Sequence, residues 1–347
     1  MSSGIGHAHF VVVSLATLYF VVLTSSASTT NLLPTRLTQR ADYHFGEHIP
    51  PCDHPGWFPQ DFGLKDHSVF WYDGYYYLVS IYVPPSDPSP FVQDHFVYAR
   101  SQDLCQWEEL SPVLPTRQSG SWDEAAIWAP HVYEEGGVFY MYYTGVTRNY
   151  TQSILLASTT DPSDPGAWQK EQMLFQPNHP GMIWQNGQWA DCRDPSVFKF
   201  GNQYYLYYSG LDIDGGIVGL ATATSPYGPW LDMGRTLPAA DHMLESPTLA
   251  EYQGIYYLFY NYTHHGEYYV IGSSPTGPWQ NPLTLFPGWA HEVWKSPQGD
   301  WFTSFLTNYT VTISPLYWDQ NYTPAHPFIT FGKQLIYMPL VAIADSP

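Results

Sequence analysis

One pattern recurs five times along this chain: a short apolar strand, a turn that contains glycine, and a second strand dense in aromatic residues. The clearest copy runs from Cys192 to Tyr208 and turns at Gly201-Asn202. Another copy turns at Asp73-Gly74, a dipeptide that strongly favours tight hairpins. Successive side chains on a strand face opposite sides, so each copy predicts an antiparallel β-hairpin.

Each hairpin is followed by further short strands, so that a unit of about four strands repeats every ~45–65 residues. This period is typical of propeller blades, which pack radially and leave no long exposed sheet edge. The sequence therefore predicts an all-β chain folded as a five-bladed β-propeller. We expect residues 28–347 to form this single domain, with 310–345 supplying closing strands. A two-sheet sandwich, the alternative, does not explain the Pro-Trp signature shared by several units.

The N-terminal segment predicts export. An apolar run, Phe10 to Leu23, precedes small residues, so residues 1–27 are interpreted as a signal peptide, with a retained anchor as the alternative. Four Asn-Tyr-Thr sequons agree with a secreted, extracellular glycoprotein: Asn149, Asn261, Asn308 and Asn321. Three cysteines allow at most one internal disulfide, and the sequence leaves the pair open: Cys52, Cys105 and Cys192.

Composition narrows the class of partner. The chain has only 12 Lys+Arg and a formal net charge of −19, which argues against nucleic acid and polyanionic substrates, since both need cations on the protein. With 14 Trp and 29 Tyr it is suited to stacking on sugar rings. We expect a neutral oligo- or polysaccharide as the substrate, no membrane association after signal cleavage, and a monomer.

Ionisable residues stand at the heads of the five predicted inner strands, which line the central channel of a propeller. They are Asp66, His131, Asp194, Glu245 and His291. We expect these heads to be equivalent positions that converge on one axial pocket. Buried carboxylates cost free energy unless paired, so packing does not explain them. Cleavage of a glycosidic bond does explain these residues, because the reaction needs one protonated and one ionised carboxyl group. Acids that lie close together have pKa values that differ, so one of them can be protonated while another is ionised.

These heads resemble those of the five-bladed glycoside hydrolases, above all family 43 (arabinan- and xylan-side-chain enzymes), with relatives in families 32, 62 and 68. The resemblance spans roughly residues 60–310. It implies that Asp66 is the general base, Asp194 the group that tunes pKa values, and Glu245 the general acid. It also implies that Trp128-Ala129-Pro130 heads the second blade, and that His291 lies where the family's fifth-blade histidine sits near a central cation.

Three features depart from family 43. His67 follows Asp66 where the family has proline. Glu245-Ser246-Pro247 is intermediate between the Glu-Gly-Pro of family 43 and the Glu-Cys-Pro of family 32. Arg193-Asp194-Pro195 is common in family 32, whose members are retaining. An inverting hydrolase on an arabinan- or xylan-type glycan is favoured. A retaining fructosidase-like hydrolase with Asp66 as nucleophile, or a non-catalytic carbohydrate-binding propeller, remains the alternative.

Further residues are candidates for binding. Trp128, His131 and Arg193 are predicted to contact substrate, and Trp184 and Trp189 are additional stacking candidates. No organic cofactor is expected, while the channel is compatible with a structural Ca²⁺ or Na⁺ for which His291 is the candidate ligand. His264-His265 and Asp212-Asp214 are interpreted as loop features rather than as a metal site.

Overall fold

The computed structural model describes residues 50–335 apart from 87–88, 90–91, 117–118, 286–287 and 332–333. All of them lie in one compact unit, Gly46–Pro347. The predicted signal peptide, residues 1–27, lies outside the described residues. Within the described ranges, every regular element except one 3₁₀ turn, Pro165–Ala167, is a β-strand. No helix in this part of the chain is long and apolar enough to cross a bilayer.

Five antiparallel sheets follow one another along the chain. Blade 1 consists of β2 (Gly63–Tyr72), β3 (Tyr75–Val83), β4 (Phe96–Ser101) and β5 (Glu108–Val113). Blade 2 consists of β6 (Ala126–Glu135), β7 (Val138–Val146), β8 (Gln152–Thr159) and β9 (Gln169–Phe175). Blade 3 consists of β10 (Cys192–Phe200), β11 (Gln203–Asp212), β12 (Gly215–Ala223) and β13 (Leu231–Arg235). Blade 4 consists of β14 (Leu244–Tyr252), β15 (Ile255–Tyr262), β16 (Gly266–Gly272) and β17 (Leu283–Thr284).

Blade 5 closes the ring with strands from both ends of the described chain. It contains β18 (Trp289–Lys295), β19 (Trp301–Thr307), β20 (Thr310–Asp319), β21 (His326–Phe331) and β22 (Gln334–Leu335). The two-residue strand β1, Gly56–Trp57, pairs with one half of β20, and β21 pairs with the other half. The inner strand β18 contacts β2 of blade 1. The prediction of a five-bladed β-propeller is confirmed.

A disulfide between Cys52 and Cys105 links the segment that precedes β1 to blade 1. This settles the pairing that the sequence left open. Cys192 is a free, buried thiol. The bonded pair is separated by 53 residues, and the entropy that closing a loop of this size removes from the unfolded chain destabilises that chain by about 4 kcal/mol at 25 °C.

Tyrosines link each blade to the next and explain part of the aromatic surplus. Tyr98, Tyr142, Tyr207 and Tyr257 are buried, and each donates its hydroxyl to a backbone carbonyl in the following blade. A buried phenol provides a large apolar surface while its hydroxyl needs a partner. The same side chain therefore fills the interface between blades and satisfies its own polar atom.

Every inner strand carries the same irregularity: two consecutive residues oppose a single residue of the neighbouring strand. The five pairs are Lys65-Asp66, Ala129-Pro130, Asp194-Pro195, Ser246-Pro247 and Ala290-His291. In blades 2 to 5 the first residue of the pair has a positive φ, between 44° and 55°. Such β-bulges bend a strand and redirect its side chains.

The bulges correct one expectation from the sequence. The five ionisable heads are not equivalent positions. Glu245 is the last paired residue before its bulge, Asp194 is the first bulged residue, Asp66 and His291 are second bulged residues, and His131 is the first paired residue after its bulge. Because side chains alternate along a strand and a bulge shifts that alternation, these residues point in different directions.

Candidate active site

A pocket lies on the propeller axis where the five bulges meet. Each inner strand contributes two of its lining residues, which are Asp66, His67, Ala129, Pro130, Asp194, Pro195, Ser246, Pro247, Ala290 and Glu292. The bulges thus bring five segments that are distant in sequence to one small volume. Two of the three predicted catalytic acids line this pocket directly.

Ser246 connects those two acids. Its backbone N–H donates to Oδ2 of Asp194 at 3.0 Å, and its hydroxyl donates to Oδ1 of Asp66 at 3.0 Å. Asp194 also accepts the hydroxyl of Ser209 at 2.9 Å, and its own backbone N–H donates to Thr144 in blade 2. Asp66 and Asp194, 128 positions apart, are therefore held on opposite sides of one serine.

The protonation of these two carboxyl groups is linked. Burial raises the pKa of Asp66, and the charge of Glu245 raises it further, while the hydrogen bond from Ser246 lowers it. Burial also raises the pKa of Asp194, as does the charge of Asp66, whereas the guanidinium of Arg193 lowers it. Two carboxylates this close resist ionising together, so they titrate as a pair in which the second proton is lost late.

Glu245 is held by the guanidinium group of Arg193. Nη2 and Nε of Arg193 donate to Oε1 of Glu245 at 2.7 and 3.1 Å, and Thr263 donates its hydroxyl to Oε2 at 3.1 Å. The same guanidinium donates to Asp191 and lies 3.9 Å from Asp194. Burial lowers the pKa of Arg193, but Glu245, Asp194 and Asp191 raise it by more, so the arginine stays charged.

The predicted substrate-binding residues lie in different environments. Arg193 lies among Asp66, Asp191, Asp194 and Glu245, which we call the acid cluster, and it pairs with Glu245 and Asp191 more closely than with Asp194. His131 has its Nε2 hydrogen-bonded to the carbonyl of Val197 in β10 at 3.2 Å. Trp128 is only 8% exposed and packs in the core between blades 1 and 2. Its placement supports packing better than sugar stacking.

His291 is fully buried and does not line the pocket. Its ring stacks on Phe305 with centroids 4.7 Å apart, and Nδ1 is hydrogen-bonded to Thr303. Ca²⁺ and Na⁺ prefer oxygen ligands, and Ca²⁺ takes six to eight of them. An imidazole in this environment does not fit that demand, so we derive no step through a central cation.

Trp184 and Trp189, the two additional candidates for stacking on a sugar ring, differ in exposure. Trp184 is half-buried and donates Nε1 to the carbonyl of Gln152 at 2.9 Å. Trp189 is 53% exposed, its ring lies 5.5 Å from that of Tyr150, and its Nε1 donates to Asp191, which itself contacts Arg193. Trp189 therefore presents an open aromatic face next to the acid cluster.

Sequence reasoning missed the residues that hold the acids in place. Ser246, Asp191 and Glu267 were not singled out. Glu267 is buried on β16, accepts a hydrogen bond from Asn261 at 3.2 Å, and has its pKa raised to about 8 by burial. The one available signal was a carboxylate within the apolar-aromatic run Glu267–Gly272, where a solvent-exposed turn residue is not expected.

One of the four sequons belongs to this site. Asn261 is opposite Glu245 in the sheet and donates to Glu267, while Thr263 of the same sequon donates to Glu245. A glycan on Asn261 would break these contacts. Asn149, Asn308 and Asn321 are exposed and remain candidates for glycosylation.

Comparison with known proteins now adds to this geometry. Residues 62–186 match the family model of glycosyl hydrolases family 43. The "Probable arabinan endo-1,5-alpha-L-arabinosidase C" of Aspergillus flavus is 27% identical over 159 residues, covering 45% of this chain and 48% of that protein. The chain resembles family 43. The resemblance predicted from the sequence is thus confirmed, although the matched segment contains Asp66 and not Asp194 or Glu245.

The chain spans about half the length of the curated relatives it matches. Two solved structures are similar in fold over most of the chain. A thermostable family-43 glycoside hydrolase has a TM-score of 0.59 at 20% identity, covering 80% of this chain and 96% of that one. Fructan 1-exohydrolase IIa from Cichorium intybus has a TM-score of 0.64 at 18% identity, covering 80% and 60%. Because the identities are only 20% and 18%, these two structures show that the chain shares their fold and nothing further.

Proposed function

We propose that this protein is a glycoside hydrolase that cleaves O-glycosidic bonds in a neutral, arabinan-type glycan. The observation that carries the proposal is the arrangement of three acids around Ser246. This residue hydrogen-bonds Asp66 and Asp194, and its neighbour Glu245 is held by Arg193. The match to glycosyl hydrolases family 43 and the arabinan-cleaving relatives support the same chemistry and suggest the substrate class.

In the proposed reaction Asp66 acts as the general base. It takes a proton from a water molecule, whose oxygen attacks the anomeric carbon from the face opposite the leaving group. The glycosidic oxygen leaves with a proton from Glu245. Asp194 is the third acid; burial and then the charge of Asp66 raise its pKa, so its protonation depends on the state of the base.

Arg193 has a defined task in this scheme. Glu245 must carry a proton before the reaction and becomes a carboxylate when it has protonated the leaving oxygen. Oε1 of Glu245 accepts two hydrogen bonds from Arg193 and Oε2 lies 3.1 Å from the hydroxyl of Thr263, so both oxygens have partners that can stabilise the carboxylate formed on proton donation. Preorganised donors at the place where charge develops lower the barrier. The two N–H groups of Arg193 are such donors.

The proposal includes export. We propose that the chain is secreted as a monomer after removal of residues 1–27, and that it needs no organic cofactor. The extracellular glycans of plants or microbes would then be its substrates.

A retaining fructosidase-like hydrolase is the second candidate, with Asp66 as nucleophile. Arg193-Asp194-Pro195, typical of family 32, favours it, because here the arginine of this motif is bound directly to Glu245. The stereochemistry of the first product separates the two, since direct water attack inverts the anomeric carbon and a covalent intermediate retains it.

The test is incubation of the purified protein with linear 1,5-arabinan, xylan and inulin, followed by reducing-sugar assay and time-resolved proton NMR. We expect arabinan to be cleaved with inversion. Cleavage of inulin with retention would replace the proposal with the second candidate. Binding of a glycan without any hydrolysis, unchanged in Glu245→Gln, would identify a non-catalytic carbohydrate-binding propeller.

A further inference from the structure

Two loops of blade 4 meet on the rim beside the acid cluster. One loop, Asp241–Met243, leads into β14, and the other, Thr263–His265, is the turn between β15 and β16. The backbone N–H of Thr263 donates to the carbonyl of Met243 at 3.0 Å, and the hydroxyl oxygen of Thr263 lies 2.9 Å from the same carbonyl. The two loops are therefore held together by their own hydrogen bonds.

Three potential ligand atoms lie close together on these loops. One atom each from Asp241, His242 and His265 lie within 4.8 Å of one another. Tetrahedral Zn²⁺ with bonds of about 2.1 Å needs ligand atoms about 3.4 Å apart. All three side chains are exposed, so rotations of these side chains can bring the ligand atoms closer by the remaining distance of up to about 1.4 Å.

Tyr262 orients two of the three ligands. Its hydroxyl donates to Oδ1 of Asp241, and its ring stacks on that of His265 with centroids 4.2 Å apart. The ring of His242 lies 5.4 Å from that of His265. Groups that position the ligands from behind strengthen metal sites, because less freedom is lost on binding.

We propose that Asp241, His242 and His265 form a binding site for a divalent transition metal ion, with Zn²⁺ as the best-suited probe. Two imidazoles and one carboxylate suit Zn²⁺ and its neighbours in the first transition row, whereas Ca²⁺ and Mg²⁺ prefer oxygen ligands. Three protein ligands leave at least one coordination position open to solvent. The site is separate from the acids of the pocket, and the proposal does not depend on the proposed function.

The position of the proposed metal site connects it to the rim of the pocket. The metal would bridge the loops that flank Thr263, and the hydroxyl of Thr263 donates to Oε2 of Glu245. Binding would therefore fix the rim of the pocket on the blade 4 side. We expect bound Zn²⁺ to raise the thermal unfolding temperature, since an ion that binds only the folded state stabilises it.

The experiment uses tag-free protein that has been dialysed against a chelator and then titrated with Zn²⁺ in a calorimeter. The wild type should bind one Zn²⁺ per chain and should not bind Ca²⁺ at the same site. His265→Ala and His242→Ala should each weaken binding at least tenfold and abolish the rise in unfolding temperature.

His264→Ala is the matched control, because His264 is an exposed histidine in the same turn and is not part of the ligand group. It should bind Zn²⁺ as the wild type does. Without metal, each variant should show a single cooperative unfolding transition, which verifies that it is folded, and the metal effect is measured as the rise above that variant's own metal-free temperature. Absence of Zn²⁺ binding to the wild type, or equal affinity in His265→Ala, would overturn the proposal.

Discussion

The bulges of blades 1, 3 and 4 and those of blades 2 and 5 have the same two-for-one pairing, and blades 2, 3 and 4 share a proline as the second bulged residue, but the polar side chains of the two groups differ. The first group places Asp66, Asp194 and Ser246 in the pocket, with Glu245 directly before its bulge. The second group places Ala129, Pro130 and Ala290 there. The backbone of the strand therefore determines which positions face the axis, and the side chains determine whether such a position can take part in chemistry.

The comparison also shows what a positive φ costs and what it provides. Ala129 and Ala290 adopt it with a methyl side chain that cannot hydrogen-bond, whereas Ser246 in the same conformation directs its N–H to one acid and its hydroxyl to another. A non-glycine residue in this region costs about 1 kcal/mol or more. In blade 4 that cost accompanies two hydrogen bonds to the acids, which a glycine could only half supply.

The largest expected effect is on activity at blade 1. Asp66→Asn removes the proposed base while keeping the size of the side chain, and turnover of arabinan should fall by at least about 10³-fold. Asp73→Asn is the matched control. Asp73 is exposed in the hairpin turn that follows the same inner strand, and Asn-Gly suits that turn as well as Asp-Gly does. Equal activity of the two variants would refute the distinction between the bulge and the turn.

The second-largest expected effect is on stability and concerns Glu267, the buried acid close to the active site. The pKa of Glu267 is raised from 4.5 to about 8, so the folded protein keeps this proton where the unfolded chain has lost it. Glu267 should therefore contribute a fall in the free energy of unfolding of about 1 kcal/mol per pH unit between about pH 4.5 and 8. Glu267→Gln should lose this part of the slope and be more stable than the wild type at pH 8.

Chemical denaturation at a series of pH values from 4 to 8 measures this slope. Below pH 4.5 the wild type and Glu267→Gln should have similar free energies of unfolding, because the glutamate is then protonated in both states. Parallel curves over the whole range would show that Glu267 is ionised in the folded protein.

How far the sequence could predict this molecule depends on how local each feature is. The hairpins could be predicted, because turn glycines and aromatic alternation are properties of neighbouring residues. The closing strand β1 could not, since Gly56–Trp57 is too short to show a period and its partner, β20, is far away in sequence. Asp66, Asp194 and Glu245 could be recognised by their positions at strand heads. Their partners required the register of each bulge.

The sequon at Asn261 shows the same limit. Its tripeptide is identical to the three whose asparagines are exposed, and only the pairing of Asn261 opposite Glu245 places it in the site. Glu267 was missed for a similar reason, because its burial arises from the packing of blade 4 in the assembled ring. Residues that depend on contacts between blades are not visible in a repeat pattern.

A smaller effect is expected at the bulge of blade 4. Ser246→Gly relieves the positive φ and removes the hydroxyl that donates to Asp66, while the backbone N–H still reaches Asp194. Because that hydroxyl lowers the pKa of Asp66, its loss should raise this pKa, and the acidic limb of the rate profile should move to higher pH. Activity at neutral pH should fall no more than about tenfold. An unchanged profile would show that Ser246 has no influence on the base.

The most direct test of the central claim, that Glu245 delivers the proton to the leaving oxygen, uses Glu245→Gln with two substrates. A general acid matters when the leaving group is poor and hardly matters when it is a good one. The account predicts a loss of about 10²–10⁴-fold on 1,5-arabinan and less than about tenfold on dinitrophenyl arabinofuranoside. Equal losses on both substrates, or no loss on arabinan, would contradict it.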